Sequence, residues 1–409
     1  MRISTSSLFE SGRVRMSELQ SGLSKTQQQL AANKRILTPA DDPLAAAQAL
    51  EVTQSKEVNA QYAVNRQAAT NSLSLEEHVL QSVTTLIQNV QTLAVSAGNP
   101  ALSDVERKFM ATELNGRLEE LIGLANTRDG TGNFLFSGYQ STTQPFARTS
   151  SGASYAADQG QRNLQVGPAR QIAISDSGDA VFERIRTGNG KFATSPGSPA
   201  GPDTNTGSGV ISSGAMLPGP GYDGRQYEIR FGADPATFQI FDVTDSAAGT
   251  AIGAAANYKS GESINVDGKL RVEITGTPAT GDTFSIKPST NQNVFSTLQN
   301  LVNALETPAS GAAGGARLSN SLNSALNNLS NALDNVLTVR ASVGARLNEL
   351  EALDGQGEAI DVQYADRLST LQDLDYTKAI TDLSMQKFTL EAAQQSFVKT
   401  SGLSLFNFI

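Results

Sequence analysis

Apolar residues recur at intervals of seven between residues 318 and 353. One such set is entirely apolar and consists of Leu322, Leu329, Val336, Val343 and Leu350. A companion set is interrupted once, at Arg346, and otherwise consists of Leu318, Ala325, Ala332, Val339 and Leu353. This a/d pattern predicts a long helix whose apolar face packs against partner helices. At a rise of 1.5 Å per residue the helix would be roughly 50 Å long, which is more than one small globule can enclose.

The first 37 residues repeat the heptad pattern more weakly. The apolar positions are Phe9, Met16, Leu23, Leu30 and Leu37. Thr26 and Asn33 interrupt the companion set, so the helix is predicted to be marginal on its own. We therefore expect residues 1–37 to become ordered only when they pack against other chains.

The last helix is predicted to have two apolar faces. One face carries Tyr376, Leu383, Leu390 and Phe397 at intervals of seven, and the other carries Met385 and Phe388. Two apolar faces imply two packing partners. Basic residues outnumber acidic ones in the first segment and acidic residues outnumber basic ones after residue 360, so pairing of the two ends is electrostatically permitted.

Two prolines and two acidic residues separate the first helix from the second, in the segment 38–43. An Asp ahead of Pro43 can cap the second helix, with Pro in its first turn. We interpret Asp41 and Asp42 as capping groups and not as an acid–base pair, because neighbouring carboxylates at a helix start diverge. A long helix is predicted over residues 44–97, and a shorter one follows, with Val105 and Phe109 facing inward.

Gly and Pro are concentrated in residues 130–290, whereas both flanks show helical periodicity. The alternating segments 227–231, 238–243 and 270–274 predict antiparallel strands, and residues 195–221 are predicted to form a long exposed loop. The predicted fold is therefore mixed α and β. A long α-helical coiled-coil or bundle trunk comes from both termini, with a β-rich domain inserted between them.

Three domains are expected from this division. Residues 1–38 and 371–409 would form a terminal helical assembly domain. Residues 39–146 and 281–370 would form a helical bundle trunk with a short β element, for which residues 134–136 are the predicted strand. Residues 147–280 would form an inserted, exposed β-rich domain.

Composition excludes several classes of chemistry. The chain has no Cys and one His, which excludes thiol chemistry and Cys/His metal sites. The formal net charge of -9 argues against a nucleic-acid partner. The first residues lack the apolar segment of a Sec signal, and no apolar run reaches about 18 residues. We therefore expect neither a cleaved Sec signal nor a membrane span.

No catalytic, cofactor-binding or metal site is predicted. Residues 219–224 match the string GxGxxG, but they precede a strand, whereas a dinucleotide-binding turn follows one and opens a helix. Residues 203–207 begin like a calcium loop but lack its later ligands, so we interpret them as a solvated linker.

Three segments together resemble the bacterial flagellin superfamily: residues 34–43, 133–138 and 340–348. Their characteristic residues are Asp41, Asp42, Pro43, Phe136, Gly138, Arg340, Gly344, Arg346 and Asn348. Within the superfamily, residues 1–5, 281–286 and 403–406 look like the hook-associated subunits that join the flagellar hook to the filament. The resemblance covers about residues 1–146 and 281–409 and leaves out the middle.

The resemblance implies a structural subunit of the hook–filament junction, without enzymatic activity, that self-assembles into a ring layer through its terminal helices. The implied partners are a neighbouring hook-associated protein, flagellin and a flagellar export chaperone. The implied route is type III secretion of an unfolded chain to the cell exterior. In the last helix, Leu383, Leu390 and Phe397 are the predicted chaperone anchors, and Met385 and Phe388 are predicted to pack in the assembled shell.

Two alternative functions remain open from the sequence. A flagellin would polymerise alone into long filaments, whereas a junction subunit would stop at one layer. A surface adhesin or glycan-binding module would instead use the inserted domain, where Tyr155, Tyr222, Tyr227 and Phe231 could supply stacking rings.

Overall fold

A computed structural model describes residues 5–199, 201–219, 221–234 and 236–402 and contains long helices on both sides of a β-rich region. The α-helices of this described part are α1 (Thr5–Ala32), α2 (Pro43–Ala97), α3 (Asp104–Ala125), α4 (Val294–Glu306), α5 (Gly311–Gln372) and α6 (Tyr376–Gly402). The predicted fold class, helical flanks with an inserted β-rich domain, is confirmed.

The chain divides into two compact units. The terminal unit comprises the described residues of Met1–Arg66 and Ala352–Ile409, and the central unit is Gln67–Glu351. The boundaries fall within α2 and α5, so each of these helices contributes to both units.

The α5 heptad pattern corresponds to a buried face. Its buried residues in the central unit include Leu322, Leu329, Val336, Val343 and Leu350, and Leu329 is 0 % exposed. Apolar residues of α2, among them Leu80 and Ile87, are buried in the same unit. The long helix predicted from the spacing of seven is therefore present, and its apolar stripe is in the core.

Helix α3 is oriented differently from the prediction. A capping box fixes its start, because the side chains and backbone of Ser103 and Glu106 bond each other reciprocally. Its buried stripe includes Leu114, Leu118 and Leu121. Val105 and Phe109, predicted to face inward, are instead 60 % and 69 % exposed. Both lie two residues away from buried positions on the helix, Arg107 and Ala111, which places them on the opposite side.

The strands lie between α3 and α4. They are β1 (Phe146–Thr149), β2 (Gly152–Tyr155), β3 (Asn163–Gly167), β4 (Arg170–Ala173), β5 (Ile185–Arg186), β6 (Phe192–Pro196), β7 (Val210–Ile211), β8 (Ala215–Met216), β9 (Tyr227–Phe231), β10 (Thr237–Asp242), β11 (Thr250–Asn257), β12 (Ser263–Val266), β13 (Leu270–Thr275), β14 (Thr283–Pro288) and β15 (Asn291–Gln292). The three strands predicted from alternation correspond to β9, β10 and β13, and every described pair is antiparallel.

Two sheets share one apolar core. The larger has the strand order β11-β10-β9-β14-β6, and the smaller has the order β12-β13-β7, with β8 also paired to β13. Their common core includes Tyr227, Ile229, Val272 and Phe284, all of which are at most 1 % exposed. The smaller two-stranded sheets pair β1 with β2, β3 with β4, and β5 with β15.

The segment 195–221, predicted as a long exposed loop, is partly inside the fold. It contains β7 and β8, and Ile211 belongs to the sheet core. Asn205, in the part interpreted as a solvated linker, is only 6 % exposed. The prediction was wrong because the Asp282 carboxylate accepts hydrogen bonds from the backbone N–H groups of Thr206 and Gly207, at 2.8 and 3.0 Å, and so holds this segment against the sheet.

Residues 134–136 do not form the predicted strand. The Phe134 N–H donates to Ser141 at 2.7 Å, whereas the Leu135 N–H donates to Thr127 at 3.0 Å. Because the N–H groups of these two neighbouring residues bond to different segments, these described residues do not form a continuous β-ladder. Their β-type pairing is a single isolated bridge between Arg128 and Phe134. The aromatic rings are nevertheless buried.

Asparagine side chains of α5 bind the backbone of the β-rich region. The Asn320 side chain accepts from the Ile211 N–H at 2.9 Å and donates to the Gly209 carbonyl at 3.1 Å. Asn331 donates to the carbonyls of Arg186 and Gly188, at 2.7 and 2.8 Å. These contacts fix the short strands β5 and β7, and the glycines beside them, to the helix.

Candidate assembly surface

Helices α1 and α6 run antiparallel in the terminal unit. Near one end, the rings of Phe9 and Phe397 lie edge to face with centroids 5.7 Å apart. Further along, the Thr26 hydroxyl donates to the Gln386 side chain at 3.0 Å. Gly12 allows close approach, because a Cβ there would lie 2.9 Å from the Phe397 ring.

The heptad positions of α1 are directed towards this pairing but are incompletely covered. Met16, Leu23 and Leu30 are half-buried, as is Leu37 in the turn beyond the helix, and Phe9 is 38 % exposed. Helix α6 of the same chain packs against the described residues of this segment, so the segment has a partner within the chain. That residues 1–37 become ordered only when they pack against other chains stays a prediction. Thr26, which breaks the apolar pattern, is itself buried at this contact.

The two apolar faces of α6 have different environments. Leu390 is buried, and Leu383 and Phe397 are half-buried on the side that faces α1. Met385 and Phe388 are 63 % and 68 % exposed. Tyr376, placed with the first face by its spacing, is also exposed. The chain therefore covers one face of α6 and leaves the other open to solvent.

The segment 34–43 ties the start of α2 to the end of α5. The Arg35 N–H donates to the Gln372 carbonyl at 2.7 Å, and its guanidinium donates to the Leu371 carbonyl at 2.9 Å. Asp42 caps α2 by accepting from the Ala45 N–H at 3.0 Å, and Pro43 is the first residue of that helix. The capping interpretation of this segment agrees with these bonds.

Asp41 and Asp42 are held in their charged forms. Lys25 pairs with Asp41 at 2.6 Å, and together with the Thr38 N–H it holds the pKa of Asp41 well below its usual value. The Ala45 N–H and the Arg35 guanidinium lower the pKa of Asp42. Asp42 therefore caps α2, whereas Asp41 accepts from the Leu37 and Thr38 N–H groups in the turn before that helix.

The arginines of the segment 340–348 bind acidic groups within the central unit. Arg340 donates to the Glu77 carboxylate at 2.6 and 3.0 Å. Arg346 pairs with Asp176 and also donates to the Ala173 carbonyl at 2.9 Å. Gly344 and Asn348 have no comparable role: a Cβ at Gly344 would meet no atom within 4 Å, and Asn348 is exposed.

Glu76 is the most perturbed carboxyl group beside these arginines. Its side chain is almost fully buried, and one of its oxygens accepts from the Asp176 N–H at 3.2 Å. The other oxygen has no hydrogen-bond partner among the described residues. Burial, reinforced by the Asp176 charge and opposed by Arg346, raises the pKa of Glu76 to about 8. The sequence gives no sign of this group, since nothing in the local pattern reveals a partner 100 residues away.

The segment 133–138 supports the junction between α3 and the first strands. Phe136 is fully buried and packs edge to face on Phe182, with centroids 5.3 Å apart. Gly138 has φ +66°, and a Cβ there would collide with Asp158. Asp158 accepts from the Tyr139 N–H at 2.9 Å, so this turn requires glycine for both conformation and space.

The aromatic residues suggested as a glycan platform are engaged within the fold. Tyr227 and Phe231 are 0 % and 2 % exposed. Tyr155 donates to the Phe136 carbonyl at 3.0 Å, and Tyr222 packs on Phe192. In the described part of the chain, no group of three or more metal-ligating side chains could hold an ion, and no helix is long and apolar enough to cross a membrane.

Comparison with known proteins places this arrangement in a family. The model of the bacterial flagellin N-terminal helical region matches residues 3–141. Flagellar hook-associated protein 3 of Escherichia coli (strain K12) is 30% identical over 406 residues, which is 99% of this chain and 99% of the relative. The chain belongs to the flagellar hook-associated protein 3 family.

Solved structures of hook-associated protein 3 share its fold. The crystal structure of Xanthomonas campestris FlgL has a TM-score of 0.71 at 29% identity and covers 78% of this chain and 99% of that chain. The flagellar junction protein FlgL from Legionella pneumophila has a TM-score of 0.68 at 30% identity, with 81% of this chain and 100% of that chain covered. The resemblance seen in the three sequence segments is therefore confirmed over almost the whole chain.

Proposed function

We propose that the chain is a structural subunit that joins the flagellar hook to the filament and contacts its neighbours through the open face of α6. Membership of the hook-associated protein 3 family supports the place in the flagellum. The observation that carries the contact surface is the exposure of Met385 and Phe388 on a helix whose opposite face is already covered by α1.

Exposed apolar side chains on one helix face favour association with another apolar surface. Each large side chain gains about 1.5–3 kcal/mol when it is fully buried, so Met385 and Phe388 together favour contact with a neighbouring subunit. Thr26 and the half-buried heptad residues of α1 contribute to the pairing with α6, which keeps the open face of α6 presented outward.

A matched pair of methionine substitutions tests this surface. Met385→Glu introduces a charge on the open face of α6, and Met216→Glu makes the same change at another exposed methionine, in β8. In a strain that lacks its own family member, we expect the Met385 variant to be exported but to abolish swimming and release flagellin into the medium. The Met216 variant should restore swimming. Normal swimming with Met385→Glu would contradict the proposed surface.

Export is proposed to follow the flagellar type III route to the cell exterior, without a cleaved Sec signal, with an export chaperone bound to α6. Leu383, Leu390 and Phe397 are the proposed anchors. Because α1 covers them in the folded chain, the chaperone would bind before α1 and α6 pair. Calorimetry should show weaker chaperone binding after these three residues are changed to Ala, whereas changing Met385 and Phe388 to Ala should leave binding largely intact.

The proposed neighbours are another hook-associated protein on one side and flagellin on the other, with copies of the chain forming a ring layer. Within the chain, the three-part division at residues 38, 146, 280 and 370 remains our proposal for how assembly, trunk and exposed functions are separated.

A flagellin role is the alternative. Electron microscopy of the purified chain under polymerising conditions distinguishes the two, because long filaments would favour flagellin.

A further inference from the structure

A polar cavity in the central unit lies between β6, α4 and α5. Its volume is about 240 Å³, enough for about eight water molecules at ~30 Å³ each. None of the described residues that line it is charged, and its apolar residues are Pro196 and Ala325. The other lining residues carry hydroxyl or carboxamide groups, and the carboxamides belong to Gln292, Asn300, Asn320 and Asn328. The cavity is therefore uncharged and rich in hydrogen-bonding groups.

Asn328 is buried but has an unused donor at this cavity. The residue is 7 % exposed, and its Oδ1 accepts from the Gly188 N–H at 2.9 Å. Its Nδ2 has no hydrogen-bond partner in the described part of the chain. Asn320, two turns earlier on α5, uses both ends of its carboxamide, because it bonds the Ile211 N–H and the Gly209 carbonyl. A ligand oxygen that accepts from Asn328 would give this buried donor the partner that it lacks.

The outer part of the lining adds groups that are free to bond a ligand. Asn300, Ser321 and Ser324 are exposed, and their side chains make no hydrogen bond with the described residues. Gln292 donates from Nε2 to the Thr297 hydroxyl at 3.1 Å, which leaves its Oε1 as an acceptor. Free donors and acceptors thus come from β15, α4 and α5 and converge on one cavity.

This lining selects a neutral ligand that is polar at its edge. A phosphate, carboxylate or ammonium group would lose its hydration here without meeting a counter-charge. An apolar ligand would leave the hydroxyl and carboxamide groups unpaired. A pyranose ring avoids both penalties, because its hydroxyls donate and accept as the lining does. Its C–H faces suit the small apolar surfaces of Pro196 and Ala325.

We propose that this cavity binds one neutral pyranose unit. Asn328 donates from Nδ2 to a hydroxyl of the sugar, and Asn300, Ser321 and Ser324 bond the neighbouring hydroxyls. The unit is a free monosaccharide or the end of a glycan, since both present the same ring. The site does not use the aromatic residues that are engaged within the fold, and it does not depend on the contact surface proposed for α6.

Saturation-transfer NMR of the full chain tests the site with glucose, galactose, mannose and N-acetylglucosamine. At about 10 mM of each sugar, which populates a millimolar complex, we expect transfer to at least one of them. Asn328→Asp keeps an acceptor for the Gly188 N–H but removes the Nδ2 donor, so it should weaken binding about tenfold. Asn323→Asp adds the same charge at an exposed position of α5 outside the lining and should leave binding unchanged. Absence of transfer to all four sugars would overturn the proposal.

A second pair of variants tests the cavity without altering a buried residue. Ser324→Phe fills the cavity from its exposed side and should abolish transfer, whereas Asn323→Phe adds the same ring outside the lining. Equal transfer in these two variants would also overturn the proposal.

A glycan array probed with the full chain distinguishes the two sources of the sugar. Binding to glycans that end in the sugar detected by NMR, lost in Ser324→Phe, assigns the site to glycans. Transfer to the monosaccharide without array binding assigns it to a free sugar. Array binding that Ser324→Phe leaves intact would place glycan recognition elsewhere and contradict this site.

Discussion

Arg346 on α5 forms an ion pair with Asp176, the residue whose backbone N–H bonds Glu76 on α2. The side chains of the pair are 13% and 9% exposed, so the two charges are largely removed from water. Arg346 is the one residue that interrupts the apolar heptads of α5. The interruption is explained by this pair, which connects α5 to the segment after β4 and to α2.

Removing one partner of this pair should destabilise the central unit. Arg346→Ala leaves the Asp176 carboxylate without its counter-charge, and loss of one partner from a buried ion pair costs about 3–5 kcal/mol. Arg170→Ala removes a partner of Glu349 in an exposed pair and should cost no more than about 1 kcal/mol. Guanidinium unfolding of both variants measures the difference. Equal losses would show that Arg346 contributes no more than a surface charge.

The free energy of unfolding should fall with rising pH because of Glu76. Its pKa is about 8 in the folded chain, against an ordinary value of 4.5, so the native state holds a proton that the unfolded state has lost. This stabilising contribution is fully present below pH 4.5 and is lost as the pH rises through about 8.

Glu76→Gln removes the titrating group and keeps the shape of the side chain. Relative to this variant, the wild-type chain should lose stability between about pH 5 and about pH 9. Urea unfolding at a series of pH values gives the comparison, and groups common to both chains cancel. A difference that stays constant with pH would rule out a protonated Glu76.

Two leucines of α5 provide a matched test of the buried face. Leu329 is 0 % exposed and Leu337 is 42 % exposed on the same helix. Leu329→Ala creates a cavity and should cost about 2–5 kcal/mol, whereas Leu337→Ala should change stability by no more than about 0.5 kcal/mol. Thermal unfolding followed by circular dichroism measures both. Similar melting temperatures for the two variants would refute the assignment of the core.

The asparagine contacts of α5 should stabilise the β-rich region through its backbone. Asn320→Ala leaves the Ile211 N–H and the Gly209 carbonyl without their partner, at a cost of about 1–3 kcal/mol for buried polar groups. Asn323 is exposed on the same helix, and Asn323→Ala is the control. Amide exchange should accelerate at Ile211 in the first variant only. Unchanged exchange at Ile211 would show that the contact is dispensable.

Periodicity predicted the elements whose apolar side chains all face one way. The heptads of α5 and the alternation in β9 and β13 each correspond to a buried face, because a helix or strand with one apolar side has one way to bury it. Phe109 shows the limit: α3 carries apolar residues on two sides, and the pattern alone does not tell which side the other helices cover.

Polar contacts between distant segments were not predictable in this way. Glu76, Asn320 and Asp282 each bond backbone far away in sequence, and their spacing along the chain carries no sign of it. Their partners are ordinary N–H groups of loops, and every residue except proline has one. The sequence of residues 203–207 therefore predicts a solvated linker, because nothing in it indicates the Asp282 carboxylate that binds the N–H groups at the end of this segment.

The hydrogen bond between Thr26 and Gln386 limits how the two terminal helices can slide along each other. Heptad faces shifted by one repeat would still place apolar residues together, so an apolar contact alone tolerates several alignments. A shift of α6 by seven residues would bring Ala379 or Ala393 opposite Thr26, and neither side chain can accept its hydroxyl proton. Because the Thr26 hydroxyl also lies 3.1 Å from the Gly22 carbonyl of its own helix, the polar pair adds a preference for the present alignment. That alignment sets the position along α1 of every outward-facing side chain of α6.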